Sequence, residues 1–218
     1  YGVDTGGYSG GVGGTCQVHQ TGQPTNSFYV YQQIYDQNGN PIEGLYVDRN
    51  GDGSINDADR YCAGDPNPDF YYGLNVKLSY KNWDFGFNGH GSFGYMVFND
   101  FASNHSTAYF DVNAGNLPNF ATAVKRTGFT QISGDYQFFS DFYLENASFF
   151  RMDDINLGYT FKEIGNWEGN IRVAASCQNV FVLTKYSGID PEINSTDGVD
   201  RTFWPRPRTF SVRLNVNF

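Results

Sequence analysis

From residue 70 onward large apolar side chains alternate with polar or small ones, and the alternation predicts strands. In 70–80 the even positions are Phe70, Tyr72, Leu74, Val76, Leu78 and Tyr80, with Tyr71, Gly73, Asn75, Lys77 and Ser79 between them. After Lys81-Asn82 the phase flips, and in 83–98 Trp83, Phe85, Phe87, Phe93, Tyr95 and Val97 alternate with Asp84, Asn88, His90, Ser92 and Gly94. A period of two sends successive side chains to opposite faces of a sheet. The two runs therefore read as a hairpin with one apolar and one polar face. Three more strands follow the same rule. In 149–161, Ile155, Leu157, Tyr159 and Phe161 oppose Asp154, Asn156, Gly158 and Thr160. In 170–183, Ile171, Val173, Ala175 and Cys177 oppose Arg172, Ser176 and Gln178, and in 208–218, Phe210, Val212, Leu214, Val216 and Phe218 oppose Thr209, Ser211, Arg213, Asn215 and Asn217. Each run is near or above the ~9–11 residues that a tilted strand needs to cross a bilayer.

The connections alternate as well. Lys81-Asn82 and 162–168 are short, while 99–148 and 184–207 are long. Short turns at one end and long loops at the other are the habit of outer-membrane barrels, whose long loops face outward. Residues 70–218 are thus expected to be strands of a transmembrane antiparallel β-barrel, an all-β fold, and 1–69 an extracellular loop region. Within 1–69, residues 1–27 show no periodicity and read as loop. Residues 28–35 and 42–48 read as a local hairpin about Asn38-Gly39, a pair that favours the left-handed backbone of tight turns. The alternative is a soluble β-sandwich whose strands also alternate, a calcium-stabilised surface module that adheres to glycans through exposed aromatics.

Composition sharpens the choice. Among the 218 residues are 26 Gly, 16 Tyr and 20 Phe, and only 17% are charged. Mean hydropathy is −0.49, and no run of ~18 apolar residues offers a membrane helix. A barrel strand needs an apolar residue only at every second position, which this composition supplies. The net charge of −9 argues against nucleic acid as a partner, since phosphate neutralisation wants clustered Lys and Arg. The chain opens Tyr1-Gly2-Val3-Asp4 without a basic and apolar leader, so any export signal is expected on sequence beyond it. Five strands are too few to close a barrel, which takes ~8 at the least, and open edges in lipid leave backbone groups unpaired. The sheet is expected to be completed by other protein, the remainder of the same barrel, with outer-membrane lipid around it.

One motif carries metal chemistry. Asp48-Arg49-Asn50-Gly51-Asp52-Gly53-Ser54-Ile55-Asn56-Asp57-Ala58-Asp59 follows the EF-hand loop pattern, with oxygen ligands at positions 1, 3 and 5, Gly at 6 and a carboxylate at 12. Asp48, Asn50, Asp52 and Asp59 would supply side-chain oxygens to Ca²⁺ and Ser54 its carbonyl, as a structural brace. The other reading is an acidic turn held by Asx hydrogen bonds. No catalytic set emerges, and an enzyme is not expected: His19, His90 and His105 lie in separate segments. Asp153 and Asp154 are neighbours on a strand and are expected on opposite faces. Cys16 and Cys62 share the first region and are left open as a disulfide; Cys177 is placed on the apolar face.

Several stretches resemble the C-terminal part of SusC/RagA-type TonB-dependent transporters of Bacteroidetes. They are YVDRNGDGSINDADRY (46–61), PNPDFYYGLNVKLSYKNWDF (66–85), SDFYLENASFFRMDDINLGYTF (140–161), QNVFVLTKYSGIDPEIN (178–194) and WPRPRTFSVRLNVNF (204–218). The resemblance implies the last five or so strands of a roughly 22-stranded plugged barrel in the outer membrane. It also implies an energised importer of oligosaccharides or peptides, lidded by a SusD-like surface lipoprotein and driven by TonB through a plug-bearing N-terminal part outside these residues. Phe210, Val212, Leu214, Val216 and Phe218 resemble the C-terminal signal read by barrel-assembly machinery. Asn75, Lys77, Asp84, Asn88, Arg172, Gln178 and Arg213 would then face the interior.

Overall fold

A computed structural model describes residues 2–7, 15–108, 119–130, 135–165, 167–193, 197–201 and 204–218. Six strands come first: β1 (Gly2–Gly7), β2 (Thr15–Gln20), β3 (Ser27–Val30), β4 (Gln33–Tyr35), β5 (Pro41–Tyr46) and β6 (Tyr61–Cys62). After them run β7 (Phe70–Tyr80), β8 (Trp83–Phe93), β9 (Met96–Asn99) and the helix α1 (Asp100–His105). The chain continues through β10 (Leu144–Asn146), β11 (Phe149–Ile164), β12 (Trp167–Thr184), β13 (Val199–Asp200) and β14 (Thr209–Asn217). It divides into two compact units. One comprises Tyr1–Asn67, Tyr95–Ala147 and Tyr186–Phe203; the other comprises Pro68–Gly94, Ser148–Lys185 and Trp204–Phe218.

The second unit is a five-stranded antiparallel sheet in the order β14-β12-β11-β8-β7. Its hairpins are tight. Tyr80 pairs with Trp83, and Lys81 takes φ 54, the left-handed step that two-residue hairpin loops require. At the β11–β12 turn the segment 162–168 is not a loop. Ile164 pairs with Trp167, and Gly165 at φ 64 makes the reversal without a Cβ penalty. Among the described residues, β7 and β14 pair on one side only, so the sheet has two open rims.

The run 83–98 is not one strand. β8 stops at Phe93, Gly94 turns at φ 78, and β9 restarts in the first unit, where Tyr95, Val97 and Phe98 are buried. Apolar alternation alone cannot distinguish a ring facing lipid from a ring facing a protein core, which is why the two read as continuous.

The first unit is a folded body with its own core, built from all three segments that read as loops. Phe28, Val30 and Tyr31 pack with Phe98, Phe139, Tyr143 and Val199. Residues 1–27 are not all loop, for β1 and β2 pair from Gly2↔Gln20 to Gly7↔Thr15. The hairpin over 28–48 is shorter than its pattern suggests. β3 leaves it to pair with β2 and β6, drawn into the core by Phe28 and Val30, and only β4 and β5 form the ribbon. Gln33, itself buried, pins that ribbon by donating from Nε2 to the carbonyls of Ile42 and Leu45 at 2.8 and 3.1 Å. In its turn Asp36 accepts from the N–H groups of Asn38 and Asn40, both at 2.8 Å, and Gly39 takes φ 82.

The cysteines are free. Gln17 pairs with Phe28 and Cys62 with Tyr29, so β3 lies between the strands that carry Cys16 and Cys62. Two strand spacings are about 10 Å, beyond the ~7 Å a disulfide can span. Burial pushes the Cys16 thiol up to about 12, so it behaves as a small apolar residue.

Candidate functional site

The register of the second unit sorts its side chains onto two faces. Asn75, Lys77, Asp84, Asn88, Arg172, Gln178 and Arg213 share the polar one. Arg172 grips Asp84 with both ends of its fork, Nε to Oδ1 at 2.9 Å and Nη2 to Oδ2 at 2.5 Å. Gly158 lies beneath this pair, and a Cβ there would come within 2.5 Å of Arg172 Nη2 and of Asp84 Oδ1, so a larger residue would have to displace them. Asn75, Asn88 and Asp154 form a chain of hydrogen bonds across three strands.

Asp153 and Asp154 do not point to opposite faces. The register slips between Met152 and Asp154 against both neighbours: against β8, Asp153 is the extra residue of a β-bulge, whereas against β12 the extra residue lies on β12 between Gln178 and Phe181. Asp153 Oδ2 therefore reaches His90 Nδ1 at 2.7 Å, on the same face as the Asn88–Asp154 contact. Next to the bulge Arg151 is buried and donates to Asn179 Oδ1 at 2.8 Å. No pattern of period two signals a bulge, so the His90–Asp153 pair was not legible in the sequence.

The opposite face is apolar and open. Phe70, Leu78, Leu157, Phe161, Leu183 and Leu214 are between 46% and 64% exposed, far more than a sheet covered by a second sheet would allow. Phe210, Val212, Leu214 and Val216 lie on it opposite Cys177, Ala175, Val173 and Ile171; Cys177 is buried. Phe218, beyond the end of β14, is fully exposed. Rings gather toward the two ends of the strands. Tyr72 stacks with Phe93 and Phe150 at centroid distances of 5.9 and 6.2 Å, and Phe150 meets Phe181 at 6.2 Å. Near the tight turn, Trp83 and Tyr159 pack edge to face at 4.7 Å, as do Tyr159 and Phe161. The first row forms over Gly91, where a Cβ would sit 3.1 Å from Tyr72 Cε1 and 2.7 Å from the Phe149 carbonyl oxygen. At ~3.3 Å per residue the 11 residues of β8 reach ~33 Å, and a ~40° tilt leaves ~25 Å, the height of the apolar band of an outer-membrane barrel.

The loop 48–59 is ordered by its own side chains. Asp48 accepts from the N–H of Gly51 at 2.6 Å and of Gly53 at 2.8 Å; Asn50 Oδ1 accepts from Asp52 and Asp52 Oδ1 from Ser54, both at 2.8 Å. Asp59 closes the loop, accepting from Arg49, Asn50 and Asn56 at 2.9, 3.2 and 2.8 Å. These bonds lower the Asp52 pKa, through the Asn50 amide first, and the Asp59 pKa, through the Asn56 N–H first. Among the described residues no three His, Cys, Asp or Glu side chains gather closely enough to hold a metal ion; Asp52 Oδ2 instead accepts from the Asn50 and Asn56 amides. The exit of the loop is fastened to the core. Tyr31 donates to Asp57 Oδ1 at 2.9 Å, and the Arg60 guanidinium lies over the Tyr31 and Phe139 rings at 5.1 and 4.7 Å. Elsewhere in the first unit a hollow of about 250 Å³ is lined by Asn99, Phe101, Arg126, Ser187 and Asp200 among others. Arg126 is held there by Glu145 at 3.1 Å. In the long connection 99–148, Tyr109 and Phe110 lie outside the described residues and Tyr136 outside the described side chains.

No family model matches the chain. Among curated proteins it is similar to the TonB-dependent receptor SusC of Bacteroides thetaiotaomicron, 42% identical over 213 residues, covering 93% of this chain and 20% of that protein. It is also similar to the TonB-dependent receptor P3 of Formosa agariphila, 31% identical over 235 residues, covering 93% of this chain and 23% of that protein. Among solved structures it is similar to the RagAB peptide importer in its closed-closed state, with a TM-score of 0.65 at 17% identity over 93% of this chain and 24% of that one. The open-open state gives 0.65 at 18% identity over 94% and 23%. The chain spans about a fifth to a quarter of the length of the proteins it matches.

Proposed function

Because this chain belongs to the SusC-like TonB-dependent receptors of the outer membrane, we propose that it forms part of the barrel wall of an energised importer of oligosaccharides or peptides. The observation that carries this reading is the pair of unlike faces on one open-rimmed sheet. The apolar face, bounded by aromatic rows, suits hydrocarbon. The polar face, with Arg172–Asp84 and His90–Asp153, suits an enclosed, hydrated interior. The rims at β7 and β14 are completed by the remaining strands of the same barrel, because unpaired backbone in lipid costs several kcal/mol per group. The first unit forms the cell-surface side, where a SusD-like lipoprotein docks, and TonB acts through the part of the transporter outside these residues. The exposed apolar face speaks against the soluble sandwich.

Deleting the gene tests the reading. Uptake of fluorescently labelled oligosaccharides or peptides by whole cells is expected to fall to background for one cargo class, and to need an energised inner membrane in the parent strain. Uptake unchanged by deletion, or indifferent to a protonophore, would refute it.

The loop 48–59 is the part of the proposal that concerns Ca²⁺. Asp48, Asn50, Asp52 and Asp59, with the Ser54 carbonyl, would brace the first unit once the Asn50 and Asn56 amides release Asp52. Each carboxylate oxygen bonded to one N–H keeps a second lone pair, so the donor set suits a hard cation. Adding EGTA to the purified transporter is expected to lower its melting temperature, with recovery on excess Ca²⁺ but not Mg²⁺. A melting curve indifferent to both treatments would leave the Asx turn as the whole role of the loop.

A further inference from the structure

On the polar face of the second unit a groove of about 160 Å³ opens above Gly86, bordered by Lys77, Ser79, Asp84, Asn88 and Asn156. The glycine keeps it open, since a Cβ at residue 86 would press to 3.0 Å from Asn156 Nδ2. The acidic groups of this face already have partners: Asp84 has Arg172, Asp153 has His90 and Asp154 has Asn88. The donors around the groove do not. Among the described residues the side chains of Lys77, Ser79 and Asn156 make no hydrogen bond or ion pair. An ammonium, a hydroxyl and an amide thus border one small space; the ammonium can only donate, the other two are able to, and the Asp84 and Asn88 side-chain oxygens beside them are occupied.

That donor set selects its ligand. A carboxylate is planar, carries one charge and accepts several hydrogen bonds, matching one ammonium and two neutral donors. With Asp84 neutralised by Arg172, the one unpaired charge at the rim among the described residues is the Lys77 ammonium, which balances a single negative charge and repels a cation. We propose that the groove above Gly86 is a carboxylate-binding site whose occupant lies inside the barrel. The inference rests on the polar face being the interior face. The carboxylate comes from an Asp or Glu of another segment of the same transporter, or from acidic cargo in passage.

The intact transporter in detergent, treated with a water-soluble carbodiimide, tests this and separates the two sources, because the reagent joins an amine to a carboxylate only when they are in contact. The expected product is an amide between Lys77 and an Asp or Glu outside these 218 residues, found by mass spectrometry and absent from Lys77→Gln. If the product forms only when an oligopeptide of alternating Glu and Gly is added, the site stands and the cargo is its source. Gly86→Ala, which narrows the groove, should cut the yield several-fold in either case while the folded protein keeps its mobility on unheated gels. Lys77 remaining unlinked in both arms, while other lysines of the transporter do link, would overturn the site. A photoactivatable lipid that marked Ser79 and spared Leu78 would instead overturn the assignment of the interior face.

Discussion

Asp59 accepts from three backbone N–H groups at once, and these bonds favour its ionised form. Asp59 is buried, yet the Asn56 N–H lowers its pKa more than burial raises it. A carboxylate whose folded pKa lies below its unfolded value stabilises fully above the unfolded value, and the contribution fades as pH falls through the folded one. Protection of the Arg49, Asn50 and Asn56 amides, measured by hydrogen exchange and corrected for intrinsic rate, should therefore hold down to the ordinary value of 3.8 and be lost below it. Asp59→Asn should remove that step, and a step seen well above 3.8 would contradict the assignment. The motif made this loop visible in the sequence. The fastening of its exit by Tyr31 and Arg60 was not visible, because it depends on residues brought together by the core.

At the scale of the element, β14 shows how far a period of two can be read. Its pairing sets Leu214 opposite Val173 and Asn215 opposite Arg172, so neighbouring residues face different media. Leu214→Arg, near the middle of the apolar face, is expected to cost about 2–4 kcal/mol, as charges on the lipid face of barrels do. Asn215→Arg should cost well under half as much. Urea titration of the transporter in lipid vesicles would measure both, and equal costs would contradict the face assignment. The same periodicity failed at two places for definite reasons. Gly94 ended β8 by turning the chain, and the Asp153 bulge added a residue that moved a carboxylate to the polar face. Neither event changes the apolar count that the alternation reports.

For the whole molecule, the open rims carry the strongest consequence. β7 and β14 lack a second partner among the described residues, and the apolar face is uncovered. Expressed alone, the 218 residues should aggregate without detergent and give no heat-modifiable folded band. Co-refolded with the rest of the transporter in detergent, they should join one folded species on size-exclusion chromatography. A soluble monomer of the chain alone would contradict the barrel reading.

The alternation of apolar and polar residues determined the strands of the wall and their two faces, because a pleated strand must place every second residue in the same medium and any closed barrel imposes that rule. Only the tertiary structure decided that residues of 1–69, 99–148 and 184–207 fold into one body with a shared core. The aromatic residues there, Phe28, Phe98, Phe139 and Tyr143, find one another across long stretches of chain. Such burial depends on packing in three dimensions and leaves no fixed period along the sequence.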